Sequence, residues 1–242
     1  MSSYNPLVWI AIFAISSALI NAIGIMAVHK NQKWTESVKT FLMCFAAGLL
    51  ISVPLMYTLP KASVMNSNAG IAALVGFLLM HFSNYAIQAI TKQKSLAFGI
   101  TALEGIGIHS FIDGLIYTVT FSASALMGIL SGIGLVIHEF AEGVITYSVL
   151  LEAKVPAKKA VRYALFISSF TTPIGAFIAY PLFKNLSTST LGLALGFVSG
   201  VLIYVSASHL LPEARSSLKY ESKHSLLAFI VGVAVAVMIV LL

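Results

Sequence analysis

Residues 96–122, LAFGITALEGIGIHSFIDGLIYTVTFS, and residues 125–151, ALMGILSGIGLVIHEFAEGVITYSVLL, decide how the chain reads. Each run is apolar enough and long enough to cross a bilayer core as a helix, which takes about 20 residues. Yet together they hold four carboxylates, Glu104, Asp113, Glu139 and Glu142, and two histidines, His109 and His138. A charged group at the centre of a membrane helix costs about 2.5–3.5 kcal/mol on insertion scales, so groups placed there are candidates for function by default.

The rest of the chain agrees with a membrane reading. Six further apolar runs, 6–28, 40–59, 69–90, 160–183, 191–211 and 226–242, give eight predicted spans in an all-α integral membrane protein. Of the 242 residues 59% are hydrophobic and only 9% charged, too few polar residues to cover a water-soluble domain of this size. The loops are short, so residues 1–242 read as one transmembrane domain. The first span begins at Pro6 with no basic segment before it, and the expectation is a retained helix without a cleaved signal. Cys44, inside the second span, is the single cysteine, which excludes an internal disulfide and a thiolate metal cage.

The net charge of +6 invites a nucleic-acid reading until the basic residues are placed. Alternating sides through eight spans puts Lys30, Lys33, Lys39, Lys92, Lys94, Lys154, Lys158, Lys159, Arg162, Arg215, Lys219 and Lys223 on one side. Only Lys61 and Lys184 fall on the other. The positive-inside rule makes the crowded side cytoplasmic and puts both termini outside the cytoplasm. Topology accounts for the charge, and no nucleic-acid partner is expected.

At a constant offset of 152 residues, FAAGLLISVPLMYTLPKA (45–62) aligns with FVSGVLIYVSASHLLPEA (197–214). Phe45, Gly48, Pro60 and Ala62 recur as Phe197, Gly200, Pro212 and Ala214. Since the second and seventh spans cross in opposite directions, the match suggests an inverted repeat flanking the middle helices, a transporter signature. Gly192, Gly196 and Gly200, and likewise Gly128 and Gly132, form strips of small residues that predict close helix packing.

The fourth span carries His109-Ser-Phe-Ile-Asp113-Gly and the fifth His138-Glu-Phe-Ala-Glu142-Gly. Positions i and i+4 of a helix lie about 40° apart, so each helix projects an imidazole beside a carboxylate. One such pair often only satisfies two buried polar groups. Two copies on consecutive helices make a four-ligand cluster, and neutral imidazole with carboxylate suits Zn²⁺, Fe²⁺ and Mn²⁺. Gly114 and Gly143 remove bulk where the fourth and fifth spans must approach each other. Ser110 and Glu139, rotated about 100° from the histidines, stand in neighbouring positions. Tyr117, Thr120 and Thr146 continue the polar faces, as path steps or as hydroxyls bonded to their own helices. Glu104 lies about half a turn from Asp113. His209 with Glu213 reads as an interfacial pair, His81 as a packing residue, and His29 and His224 as loop residues.

With these motifs the sequence resembles the ZIP (Zrt/Irt-like) family of divalent metal transporters. The resemblance covers nearly the whole chain, with its specific part in HSFIDG and HEFAEG. It implies a 3+2+3 inverted-repeat bundle, a transport site between the fourth and fifth helices, homodimerisation, and movement of metal into the cytoplasm across the plasma or bacterial inner membrane. The implied metal ligands are His109, Asp113, His138 and Glu142, together with Ser110 and Glu139. The metal, zinc foremost and otherwise iron, manganese or cadmium, is the substrate, and no cofactor is expected. The chain departs from many members at Ser110 and Asp113. It has Thr172 where some have Glu before Pro-x-Gly, and Leu50 where some have Met.

The alternative is a membrane-embedded zinc hydrolase with a metal-bound water as nucleophile. Neither an HExxH motif nor a set of three clustered histidines supports it, so no enzyme is expected.

Overall fold

The computed structural model describes residues 5–91, 96–212 and 223–241, and all regular structure among them is helical. The helices are α1 (Pro6–Lys30), α2 (Gln32–Val53, continued through Pro54–Thr58 and Leu59–Met65), α3 (Ala69–Thr91), α4 (Leu96–Ala123), α5 (Ala125–Glu152), α6 (Ala157–Ala164, through Leu165–Ser169 into Thr171–Phe183), α7 (Thr188–Tyr204 with Val205–Leu210) and α8 (Lys223–Leu241). Six of these, α1, α2, α4, α5, α6 and α7, are long and apolar enough to cross a membrane. Over the described residues α3 and α8 contribute shorter apolar runs, Ala69–Ser83 and His224–Met238.

The helix starts follow local chemistry. Asn5 caps α1, its side chain accepting from the Leu7 N–H at 3.1 Å, with Pro6 in the first turn where no N–H is needed. Ser187 caps α7 in the same way through the Thr190 N–H. Between α4 and α5 a single residue, Ser124, is extended and caps α5 through the Met127 N–H. That one-residue link makes α4 and α5 an antiparallel hairpin. His109 lies 15 residues before Ser124 and His138 lies 14 after it, so the two motifs meet at one depth, about 22 Å from the turn at 1.5 Å per residue.

α2, α6 and α7 each contain one π-helical turn, Pro54–Thr58, Leu165–Ser169 and Val205–Leu210. In each the N–H of Leu59, Phe170 or Leu211 reaches back five residues, to the carbonyls of Pro54, Leu165 and Ser206. The cause is a proline downstream. Pro60, Pro173 and Pro212 have no N–H for the carbonyl four residues earlier, and their rings crowd it. Those carbonyls, of Met56, Ser169 and Ser208, all lie inside the widened turns.

The most extensive helix pairs are α1 with α5, α4 with α6, α2 with α8 and α3 with α7. In every pair a glycine of each partner meets the other's backbone. A Cβ would collide with the Phe140 carbonyl at Gly24 and the Asn21 carbonyl at Gly143, and with the Thr172 and Phe111 carbonyls at Gly114 and Gly175. Gly48 and Gly232 face Phe229 and Phe45, and Gly76 and Gly200 face Phe197 and Ala73, in the same manner. The Gly192, Gly196 and Gly200 strip therefore packs helices as expected. Gly128 and Gly132 do not: they hold the rings of Phe121 and Phe13, because α5 there faces aromatic side chains instead of a helix backbone. The motif glycines also differ from the expectation that they bring α4 and α5 together. Gly114 admits α6 and Gly143 admits α1.

Large apolar side chains cover the outside, among them Ile12, Ile15 and Leu19 on α1, Leu74, Val75 and Leu78 on α3, and Phe166, Phe170 and Phe177 on α6. The carboxylates Asp113, Glu139 and Glu142 are buried within. An apolar exterior around a polar interior is what a lipid solvent selects.

Candidate metal centre

Mid-way along the α4–α5 hairpin, His109, Asp113, His138 and Glu142 each offer one ligand atom, and these atoms all lie within 4.8 Å of one another. His138 Nε2 is 3.4 Å from Asp113 Oδ2 and 3.5 Å from Glu142 Oε2. His109 Nε2 is 3.6 Å from Asp113 Oδ2 and 3.8 Å from Glu142 Oε2. A tetrahedron of ligands about 2.05 Å from a central Zn²⁺ has edges of about 3.4 Å, close to the four imidazole–carboxylate separations. The two rings stand nearly perpendicular, 79° apart with centroids at 5.8 Å, so both nitrogens converge.

The tautomer of His138 is fixed by its second nitrogen. Nδ1 donates to the Leu135 carbonyl at 2.6 Å, leaving Nε2 with its lone pair directed at the two carboxylates. Among the described residues neither oxygen of Asp113, nor Glu142 Oε2, nor His138 Nε2 makes a hydrogen bond, although all are buried. Buried carboxylate oxygens and an imidazole nitrogen without hydrogen bonds are costly at this depth unless a cation neutralises the carboxylates.

Ser110 and Glu139, also predicted as ligands, are held differently. The Ser110 hydroxyl donates to Glu142 Oε1, the oxygen of that carboxylate other than the one nearest the two histidines. Glu139 points toward α1 and α6. Its Oε2 accepts from Asn21 Nδ2 at 2.8 Å and its Oε1 from the Thr172 hydroxyl at 2.9 Å. Asn21 Oδ1 in turn accepts from Ser168 at 2.9 Å and Ser169 at 2.8 Å. Two consecutive serines reach one oxygen because they sit in the widened turn of α6.

Of the remaining polar positions, Thr120 and Thr146 bond to their own helices, at the Ile116 and Glu142 carbonyls. Tyr117 shares a 2.5 Å hydrogen bond with Ser17 of α1. Leu50, fully buried, packs against Gly134 one turn before His138. His29 contacts the Tyr147 hydroxyl at 2.7 Å and lies in the last turn of α1, not in a loop. The predicted roles of Glu104, His209 and Glu213 fall on side chains outside the described residues. Sequence reasoning missed Asn21, Ser17, Ser168 and Ser169. The available signal was their spacing: Ser17 and Asn21 are polar residues four apart in an apolar span.

The profile of the family described as ZIP Zinc transporter matches residues 87–241, which include both motifs and α4 to α8. The chain belongs to the ZIP zinc transporter family. It is therefore an integral membrane protein of a transporter family and not an enzyme. It is similar to a protein named Zinc transporter ZupT from Clostridium perfringens, 39% identical over 87 residues, which are 35% of this chain and 29% of that protein. A second Zinc transporter ZupT, from Chlorobium luteolum, is 35% identical over 79 residues, 32% of this chain and 29% of the relative. Protein zntA of Dictyostelium discoideum is 39% identical over 70 residues, 29% of this chain and 14% of the relative. The chain thus matches under a third of the length of these relatives.

Proposed function

We propose that the chain carries a divalent transition metal, zinc foremost, across the membrane into the cytoplasm, binding it as substrate through His109, Asp113, His138 and Glu142. The observation that carries this reading is the convergence of these four atoms, all within 4.8 Å of one another. The family membership and the word zinc in the relatives' names support the cargo. One imidazole and one carboxylate from each of two helices give a set that binds the ion strongly and still loses it on a small shift of α4 against α5.

The rest of the reading belongs to the same proposal. Residues 1–242 form one domain of eight crossings with both termini outside. Its halves are α1–α3 and α6–α8, related by an inverted repeat about the α4–α5 hairpin. The reciprocal glycines support the repeat: the α1–α5 pair has its counterpart in α6–α4, and α2–α8 in α7–α3. So does the proline-linked wide turn, at Pro54–Thr58 in one half and Val205–Leu210 in the other. The protein assembles as a homodimer, which its mass in detergent by light scattering tests.

The deciding experiment is zinc uptake by proteoliposomes. Alanine at His109, Asp113, His138 or Glu142 should each lower uptake about ten-fold or more at equal insertion, since each removes a quarter of the ligand set. Near-normal uptake in any two of the four would remove this site. Competition among zinc, iron, manganese and cadmium then ranks the cargo.

A further inference from the structure

The outward faces of α1, α6 and α8 are apolar within their spans, as Ile15, Phe170 and Ile230 illustrate. α3 breaks that pattern. His81, expected from the sequence to be a packing residue, is exposed. It lies twelve residues in from Ala69, about 18 Å along the helix at 1.5 Å per residue, near mid-depth of a hydrocarbon core about 30 Å thick. Among the described residues it is the one histidine or charged side chain exposed so deep in a span. Its ring stands edge-on to Phe82 and to Tyr204 of α7, with centroids at 5.6 and 6.2 Å, and among the described residues neither of its nitrogens makes a hydrogen bond. A polar ring facing lipid tails is costly, whereas one facing a polar partner holds membrane helices together.

The residues around His81 show which partner fits. Ile71, Leu74, Leu78, His81 and Tyr85 follow one another in steps of three and four, and each is exposed. Such alternation is the seam of a left-handed two-helix coil, and a single polar residue within it fixes register and partner. A second copy is inserted with the same sides facing in and out, so a twofold axis along the membrane normal sets two α3 helices parallel, each seam residue opposite itself. His81 then faces its own counterpart. A neutral imidazole carries one donor and one acceptor, so two identical rings satisfy each other, as a lipid tail cannot. On α8 the exposed Leu226, Leu227, Ile230 and Val231 offer a partner nothing to bond.

We propose that the outward face of α3 is the homodimer interface, a parallel seam of Ile71, Leu74, Leu78 and Tyr85 whose register is set by a hydrogen bond between the two His81 rings. The proposal rests on the homodimer reading above. Each metal cluster stays within its own protomer, because its four residues belong to α4 and α5.

The test uses the full chain in liposomes with Cys44→Ser. Under a thiol oxidant, Leu74→Cys and Leu78→Cys should each give disulfide-linked dimers. Val75→Cys and Leu79→Cys, one residue along and turned about 100° from the seam, should give about ten-fold less. Random collision in the bilayer predicts otherwise, since Val75 and Leu79, at 53% and 48%, are more exposed than Leu78 at 36%. His81→Leu should weaken dimerisation about three- to thirty-fold, the weight of an interhelical hydrogen bond in lipid, read by energy transfer between copies labelled at Lys158→Cys as lipid is added. His81→Asn keeps a donor and an acceptor and should retain most of the affinity. Stronger linkage at Val75 and Leu79 than at Leu74 and Leu78, or undiminished association in His81→Leu, overturns the proposal. A dimer by light scattering that does not cross-link along α3 refutes this seam and leaves the homodimer reading standing, whereas a monomer by mass refutes both.

Discussion

Glu139 and Glu142 stand three residues apart on α5 and serve different partners. Glu142 turns one oxygen into the cluster with His109 and His138, while both oxygens of Glu139 are taken by Asn21 and Thr172. A second dication near the first would need further carboxylate to offset repulsion in a low-dielectric site. Glu139 is the nearest further carboxylate on these helices, and it is already bonded to neutral donors. The expected stoichiometry is one tightly bound zinc per chain by calorimetry. Glu139→Gln should change that affinity by less than about three-fold while lowering the melting temperature, because a buried hydrogen-bonded network is broken. Two zinc ions of comparable affinity in the unmodified protein would show Glu139 leaving Asn21 to bind metal.

In the proposed function metal binding is also a competition with protons. Both imidazoles must be neutral and both carboxylates ionised to ligate, so each proton gained as pH falls removes a ligand. Binding should therefore weaken progressively as the pH falls. Zinc affinity measured from pH 7.5 to 5.5 should fall monotonically. An affinity that rises toward acid pH would mean that protonated groups hold the cargo.

The four-residue cluster is legible in the sequence because helix geometry alone puts His109 beside Asp113 and His138 beside Glu142, and because Ser124 leaves so short a link. Local rules stop there. Nothing in HEFAEG says that Glu139 faces Asn21, more than 100 residues away, since that pairing depends on which helix lies against the back of α5. The same limit explains the glycines. A strip of small residues announces close approach but not its partner, and at Gly128 and Gly132 the partners are rings carried by α4 and α1. The wide turns were within reach, since Pro60, Pro173 and Pro212 mark them. The distribution of lysines carries topology, which an isolated chain without a bilayer cannot display.

That topology gives a direct prediction. With Cys44→Ser, single cysteines at the exposed positions Ser63 and Lys158 should be labelled by an impermeant reagent from opposite sides, Ser63 from outside and Lys158 from inside. The reverse pattern would invert the orientation. Labelling of both from one side would mean an odd number of crossings is wrong between α2 and the α5–α6 loop.

The last prediction separates the two kinds of glycine on α5. At Gly143 an added methyl meets the backbone carbonyl of Asn21, and a helix backbone cannot step aside without parting α1 from α5. At Gly128 the nearest atoms to the methyl belong to the ring of Phe121, a side chain and not a helix backbone. Overpacking of this kind costs about 1–3 kcal/mol, and the rigid contact should take the upper end of that range. Gly143→Ala should therefore lower the melting temperature in detergent and the yield of inserted protein, and it should disturb Glu139 through Asn21. Gly128→Ala should leave stability nearer the unmodified value. Comparable melting temperatures for the two variants would show that α1 is free to shift against α5, and that the reciprocal glycines do not fix the depth at which the site is held.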